Sequence, residues 1–188
     1  MDRTPAAFTI WDQGARAQSF PLHSQEQPAQ LSSSLPFSIY VGDLDDAANV
    51  GRLQDLKIAL VVNLCPEMIY GKYAGLPADL AQATIIYIAW PAQDSIDFDF
   101  VHKVLRAGIG ELLHCRLTHS NVLINCWAGV NRSAAVAIGY LTMWQQRDLL
   151  ETFREAMRQR GTVLNNRSFR QMLVQVNDPT GSYGVHVD

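Results

Sequence analysis

Cysteine is scarce in this chain: three residues among 188, at positions 65, 115 and 126. An odd number with no closely spaced pair supports neither a disulfide framework nor a zinc site, and none of the five histidines stands at ligand spacing. No metal and no other cofactor is therefore expected, and His102 and His114 read as helix-surface residues. Long apolar runs are missing too, since none approaches the roughly 18 residues that a bilayer span needs. The first residues, Met-Asp-Arg-Thr-Pro, lack the apolar stretch of a signal peptide. A cytoplasmic setting is the expectation, with the nucleus also open. Charge is nearly balanced, 15 Lys and Arg against 18 Asp and Glu, a net charge of −3. No global field draws such a chain to nucleic acid or to an anionic membrane, so any grip on phosphate has to be local. There is no internal repeat. Asn166-Arg167-Ser168 fits a glycosylation acceptor only formally, without a secretory signal to accompany it.

What is present is an apolar content of 48%, enough for one sizeable core but not, at this length, for two domains. Residues 1–36 read as an N-terminal arm, rich in Gln, Ser and Pro from Ala17 to Pro36, with Phe8, Ile10 and Trp11 available to anchor its start. The domain is expected over 37–176, followed by a polar tail over 177–188.

Within the domain, residues 37–41 alternate like a strand, and 43–56 carry Val50, Leu53 and Leu56 at helical spacing. Residues 58–64, 84–90 and 121–125 are short β-branched runs, the pattern of strands covered on both faces. Between the last two, Val101, Val104, Leu105, Ile109, Leu112 and Leu113 trace a helical stripe suited to a crossover between parallel neighbours. Residues 133–146 are apolar almost all round, which marks a buried helix. Asp148 with Glu151 starts another, presenting Leu149, Leu150, Phe153, Ala156 and Met157 and ending at Gly161; a last one begins after Asn165-Asn166, with Phe169, Met172, Leu173 and Val176 on one face. The expected fold is α/β, a central mostly parallel sheet of about four to five strands flanked by helices.

The chemistry concentrates in Cys126-Trp-Ala-Gly-Val-Asn-Arg-Ser133, where an apolar strand stops and an apolar helix starts. N–H groups at a helix N-terminus have no intrahelical partner, and the helix dipole places partial positive charge there, so a loop wrapping into it binds an oxyanion. The amides of Trp127, Ala128, Gly129, Val130, Asn131 and Arg132 are the candidate phosphate ligands. A cysteine at the start of that loop has its thiolate, the attacking form, favoured by the same field. Gly129 lets the backbone turn with positive φ and approach a phosphate closely. Arg132 can return a planar fork to two phosphate oxygens. A proton for the leaving group must come from a carboxylic acid, and the loop after residues 84–90 offers Asp94, Asp97 and Asp99.

The segment resembles the Cys-x-x-Gly-x-x-Arg-Ser/Thr loop of protein tyrosine phosphatases, and with Ala-Gly ahead of a buried helix it is similar to the dual-specificity branch. Residues 39–47, 53–64 and 138–143 resemble that family's first strand, helix, second strand and post-loop helix. Residues 165–173 resemble its Pro-Asn…Phe…Leu helix start with Asn in place of Pro. The resemblance implies a phosphatase-type loop between a core strand and a buried helix. It implies metal-independent hydrolysis of phosphotyrosine, phosphoserine and phosphothreonine through a phosphocysteine, with a phosphorylated protein as partner. Cys126 is then the nucleophile and Arg132 the oxyanion ligand. Asp94 matches the family's acid best, Asp97 next. Ser133 corresponds to the hydroxyl that stabilises the departing sulfur, and it can also cap the helix. Cys65 sits where some relatives hold a redox partner for the nucleophile; otherwise it is a core cysteine at a strand end, as Cys115 is a core filler within a helix.

Three departures matter. Asn125 stands where the family usually has His, so part of the electrostatic support for a thiolate is expected to be absent. The variable loop positions hold no lysine of the kind phosphoinositide phosphatases use, which disfavours a highly charged lipid headgroup. Asn131 next to Arg132 resembles RNA 5′-triphosphatases, but their following Thr and His pattern is missing and the acidic balance argues against RNA. The rival readings are a phosphoresidue-binding pseudophosphatase and sulfur or arsenate chemistry on a similar cysteine loop.

Overall fold

β-Branched side chains are stiff at χ1 and pack well on a pleated surface, and the apolar runs of this chain become adjacent parallel strands. The structure, a computed structural model, describes residues 29–30, 37–117 and 119–178. Ala29–Gln30 (β1), Ile39–Gly42 (β2), Ile58–Asn63 (β3), Ile86–Ala89 (β4) and Asn121–Asn125 (β5) form one sheet in the order β1-β2-β5-β3-β4. The last four are parallel, and β1 adds two antiparallel residues beside β2. The expected mostly parallel sheet is thus observed. β1 falls inside the expected N-terminal arm; the rest of that arm, including Phe8, Ile10 and Trp11, lies outside the described residues, as do the tail beyond Asp178 and the packing of the Cys115 side chain.

Register decides where function can sit. Gly42 pairs with Asn125, Asn125 with Asn63, and Asn63 with Ala89, so all four parallel strands end flush. The segments that follow them, beginning at Asp43, Cys126, Leu64 and Trp90, therefore leave the sheet at one edge, the carboxyl edge at which open α/β sheets bind ligands.

Eight helices of five residues or more lie among the described residues: Leu44–Ala48 (α1), Val50–Asp55 (α2), Leu76–Gln82 (α3), Val101–Ile109 (α4), Gly110–Leu117 (α5), Arg132–Met143 (α6), Leu149–Arg160 (α7) and Arg167–Asn177 (α8), with short 3-10 turns at Pro66–Met68 and Gly71–Tyr73. α6 is buried from Arg132 to Thr142, as its uninterrupted apolar pattern demands. No helix among the described residues is long and apolar enough to cross a membrane.

Several expectations are corrected. The single helix over 43–56 is two, because Asn49 leaves the helical region and its side chain accepts from Arg52 N, starting α2. Residues 84–90 are not a strand covered on both faces: β4 has one neighbour, lies at the sheet edge, and leaves Ile86 42% exposed. The crossover from β4 to β5 joins strands that are parallel but separated by β3, and its helical stripe breaks where Gly108 takes a φ of +105°. α7 buries Thr152, Phe153, Ala156 and Arg160, whereas Met157 is exposed. α3, with Pro77 in its first turn, has no counterpart in the sequence reading.

Candidate active site

Cys126 follows directly on β5, and its loop runs into the first turn of the buried helix α6. The thiol is buried, 3.3 Å from the Ser133 hydroxyl, and Cys126 N donates to Gly42 O at the end of β2. From Ala128 to Arg132, no backbone N–H donates to a backbone carbonyl among the described residues. These amides stand at the N-terminus of a twelve-residue helix, which suits them to an oxyanion. Trp127 meets the edge of Tyr73, ring centroids 6.4 Å apart. Val130 O accepts from Leu164 N and ties the loop to the segment before α8.

Arg132 is 8% exposed, unusual for an arginine, and only one of its three nitrogens is engaged within the described protein. Nη1 donates to Ala92 O at 3.0 Å, Leu64 O at 3.4 Å and the half-exposed Glu67 at 3.2 Å. Nε is buried without a partner, a donor whose desolvation an anion on the loop would offset. The two carbonyls lie in the segments that leave β3 and β4 at the flush sheet edge, which aims the guanidinium.

Asp94 reaches the same loop. Its Oδ2 accepts from Asn131 Nδ2 at 3.0 Å and its Oδ1 from Asn166 Nδ2 at 2.7 Å. The other two acids in that segment do different work. Asp99 accepts from the backbone and ring nitrogens of His102 at the start of α4, contacts that hold its carboxyl below the usual range, while Asp97 is exposed.

Beneath the loop lies a buried charge that the sequence reading missed. Arg160, at the end of α7, donates to Val41 O at 3.2 Å and Ala128 O at 3.5 Å and pairs with Asp46 at 3.7 Å. Asp46 with Asp43 closes a reciprocal cap on α1. Burial first, then the Asp43 charge, push the Asp46 carboxyl up to about 6, against the pull of Asp43 N–H and Arg160. A signal for Arg160 existed: it stands seven residues after Phe153 and four after Ala156, on the apolar face of α7. Glu67 and Asn166 carried no such spacing.

Asn125, in the place of the family histidine, is fully buried and donates to Asn63 Oδ1 at 3.4 Å. Asn63 Oδ1 also accepts from Cys65 N and Cys65 Sγ, and Asn63 Nδ2 donates to Tyr87. Cys65 is thus a buried, hydrogen-bonded thiol, pushed up to about 12 by burial first and the neighbouring Cys126 next, with Arg132 pulling the other way. Neither it nor Cys126 is in a disulfide.

Comparison with known proteins agrees with this geometry. The family model for the dual specificity phosphatase catalytic domain matches residues 39–178. Human dual specificity protein phosphatase 4 is 30% identical over 176 residues, 91% of this chain and 40% of that protein. Human dual specificity protein phosphatase 26 is 30% identical over 138 residues, 72% of this chain and 62% of its own length. The chain therefore spans well under two thirds of the first of these. Among solved structures, human DUSP28 superposes with a TM-score of 0.66 at 16% identity, covering 85% of this chain and 99% of that one, a likeness of fold. With the matched region running from the first parallel strand through the Cys126 loop to the end of α8, the chain belongs to the dual specificity phosphatase family.

Proposed function

We propose that this chain hydrolyses phosphotyrosine and phosphoserine or phosphothreonine monoesters in proteins through a phosphocysteine at Cys126. The observation that carries the reading is a convergence across the chain. The Asp94 carboxylate is bonded to Asn131, 37 residues further on, in the loop that begins with the buried Cys126 and ends with the buried Arg132.

In the proposed first step the Cys126 thiolate attacks phosphorus. An S–P bond forms as the P–O bond to the leaving oxygen breaks, and Asp94 gives that oxygen its proton. The loop amides from Trp127 to Arg132 and the Arg132 side chain hold the equatorial oxygens, where charge develops. In the second step water attacks phosphorus, the S–P bond breaks, and Asp94 takes a proton from the water. Ser133, 3.3 Å from Sγ, donates to the departing sulfur. A reduced compartment, cytoplasm or nucleus, is proposed with it because the nucleophile has to be a free thiol.

Cys126→Ser tests the reading: turnover of an aryl phosphate is expected to be lost while vanadate still binds. Retained turnover would remove Cys126 from the mechanism. Wild-type activity indifferent to a chelator is expected; its loss on chelation would point to a metal-dependent enzyme. Vanadate binding without wild-type turnover would favour the pseudophosphatase reading.

A further inference from the structure

Asn131 occupies the N-cap position of α6, where an asparagine ordinarily turns its side chain back onto the helix for about 1 kcal/mol. Here it makes no such bond. Both polar atoms go elsewhere. Oδ1 accepts from Asn166 N at 3.0 Å, and Nδ2 donates to Asp94 Oδ2 at 3.0 Å. The orientation of the amide is not arbitrary: a backbone N–H can only donate, so the oxygen must face Asn166 and the amino group must face Asp94. The same logic fixes Asn166, whose Oδ1 accepts from Ser168 N at 2.9 Å and whose Nδ2 is thereby left for Asp94 Oδ1 at 2.7 Å. Each oxygen of an exposed carboxylate is consequently held by an amide donor from a different element.

Such a carboxylate would otherwise sample its rotamers freely, and placing a proton donor depends on removing that freedom. The backbone beside it is held from the same loop. Arg132 Nη1 donates to Ala92 O at 3.0 Å, and Ala92 N donates to Leu64 O at 3.1 Å. Adjacent residues of the phosphate loop, 131 and 132, thus bind the acid's side chain and the chain leading to it. An oxygen that accepts one amide bond keeps another lone pair, so the carboxyl can carry the transferable proton without giving up its orientation.

We propose, resting on the phosphatase reading above, that Asn131 is a positioning residue for Asp94, coupling the phosphate-binding loop to the general acid. Its effect falls on the expulsion of poor leaving groups, which need the proton most.

The test compares kcat/KM on a phosphotyrosine peptide with that on p-nitrophenyl phosphate, whose leaving group needs little protonation. Two variants are used. Asn131→Ala removes both contacts; Asn131→Asp keeps the acceptor for Asn166 N but replaces the donor to Asp94 with a like charge. Each is expected to lose roughly tenfold more on the peptide than on the aryl ester, and that excess should vanish in an Asp94→Asn background. The ratio is taken within one protein sample, so a fraction of misfolded enzyme cancels. Equal losses on both substrates, or an unchanged excess in the Asp94→Asn background, would overturn the assignment while leaving the phosphatase reading intact. A wild type without Cys126-dependent turnover would overturn both.

Discussion

The guanidinium of Arg160 packs against Gly129 so tightly that a β-carbon at position 129 would collide with Nη2 and stand 2.7 Å from the carbonyl carbon of Gly42. Gly129 also has a φ of +66°, the region that costs an L-residue about 1–2 kcal/mol. The loop that wraps the proposed oxyanion site is therefore moulded over a charged strut.

Gly129→Ala combines backbone strain with a clash against backbone that cannot yield. Loss of about a hundredfold or more in aryl-phosphate turnover is expected, with weakened vanadate binding, because the amides are displaced together. Arg160→Met leaves the loop glycine in place but strands Asp46. A cost of about 2–3 kcal/mol in urea unfolding is expected, below the usual cost of breaking a buried pair because Asp46 can neutralise itself by binding a proton.

Glu67 sets two effects against each other. It helps orient Arg132, but its charge lies beside the site where a phosphate dianion would bind. Orientation is the weaker effect, because the buried carbonyls of Leu64 and Ala92 also hold Nη1 and the Glu67 pair is half exposed. Two unit charges roughly 7 Å apart in a water-like dielectric repel by about 0.6 kcal/mol, which sets the scale of the effect. Glu67→Gln should therefore bind vanadate about two- to fourfold tighter at low ionic strength, a gain that shrinks in about 0.5 M salt. Weaker binding in calorimetry would mean that orientation wins.

Much of this was legible before the structure. The strand ending at Asn125 and the all-apolar pattern after Arg132 fix the loop between them, since a short β-branched run and a helix apolar on every face both have to lie in the core. Asp94 was separable from Asp97 and Asp99 only by resemblance, because three carboxylates within six residues of one loop look alike until partners are assigned. Those partners were not legible. The Asn131 and Asn166 contacts depend on how two loops approach in space, and no periodicity encodes the direction of an amide. β4 misled for a different reason: a β-branched run reports a preference for pleated backbone, not the number of neighbouring strands.

Cys65 was a candidate redox partner for Cys126, and its surroundings bear on the rate of that chemistry. Pushed up to about 12, chiefly by burial, Cys65 holds very little thiolate at neutral pH. Iodoacetamide at about pH 8 should leave Cys65 unmodified in the native protein and label it after unfolding, as peptide mass mapping would show. After peroxide treatment, dimedone should trap a sulfenic acid at Cys126 faster than a Cys65–Cys126 disulfide appears. A disulfide that outruns trapping would mean that Cys65 leaves its bond to Asn63 readily.

Asp46 provides a pH dependence opposite in sign to that of most carboxylates. Its carboxyl titrates near 3.8 when unfolded and near 6 when folded, so between those values the folded chain holds the extra proton. Its stabilising contribution is complete below about pH 4, declines as pH rises towards about 6, and is flat above. The shift bounds the effect at about 3 kcal/mol. Asp46→Asn removes the titration while leaving an acceptor for Asp43 N, so carboxylates that do not interact with Asp46 cancel in the comparison with wild type. Urea unfolding at stepped pH should show the variant gaining stability relative to wild type from about pH 4 to about 6 and holding that gain above. A difference that stays flat across this window would place the Asp46 titration elsewhere and make Arg160 the dominant neighbour, outweighing burial.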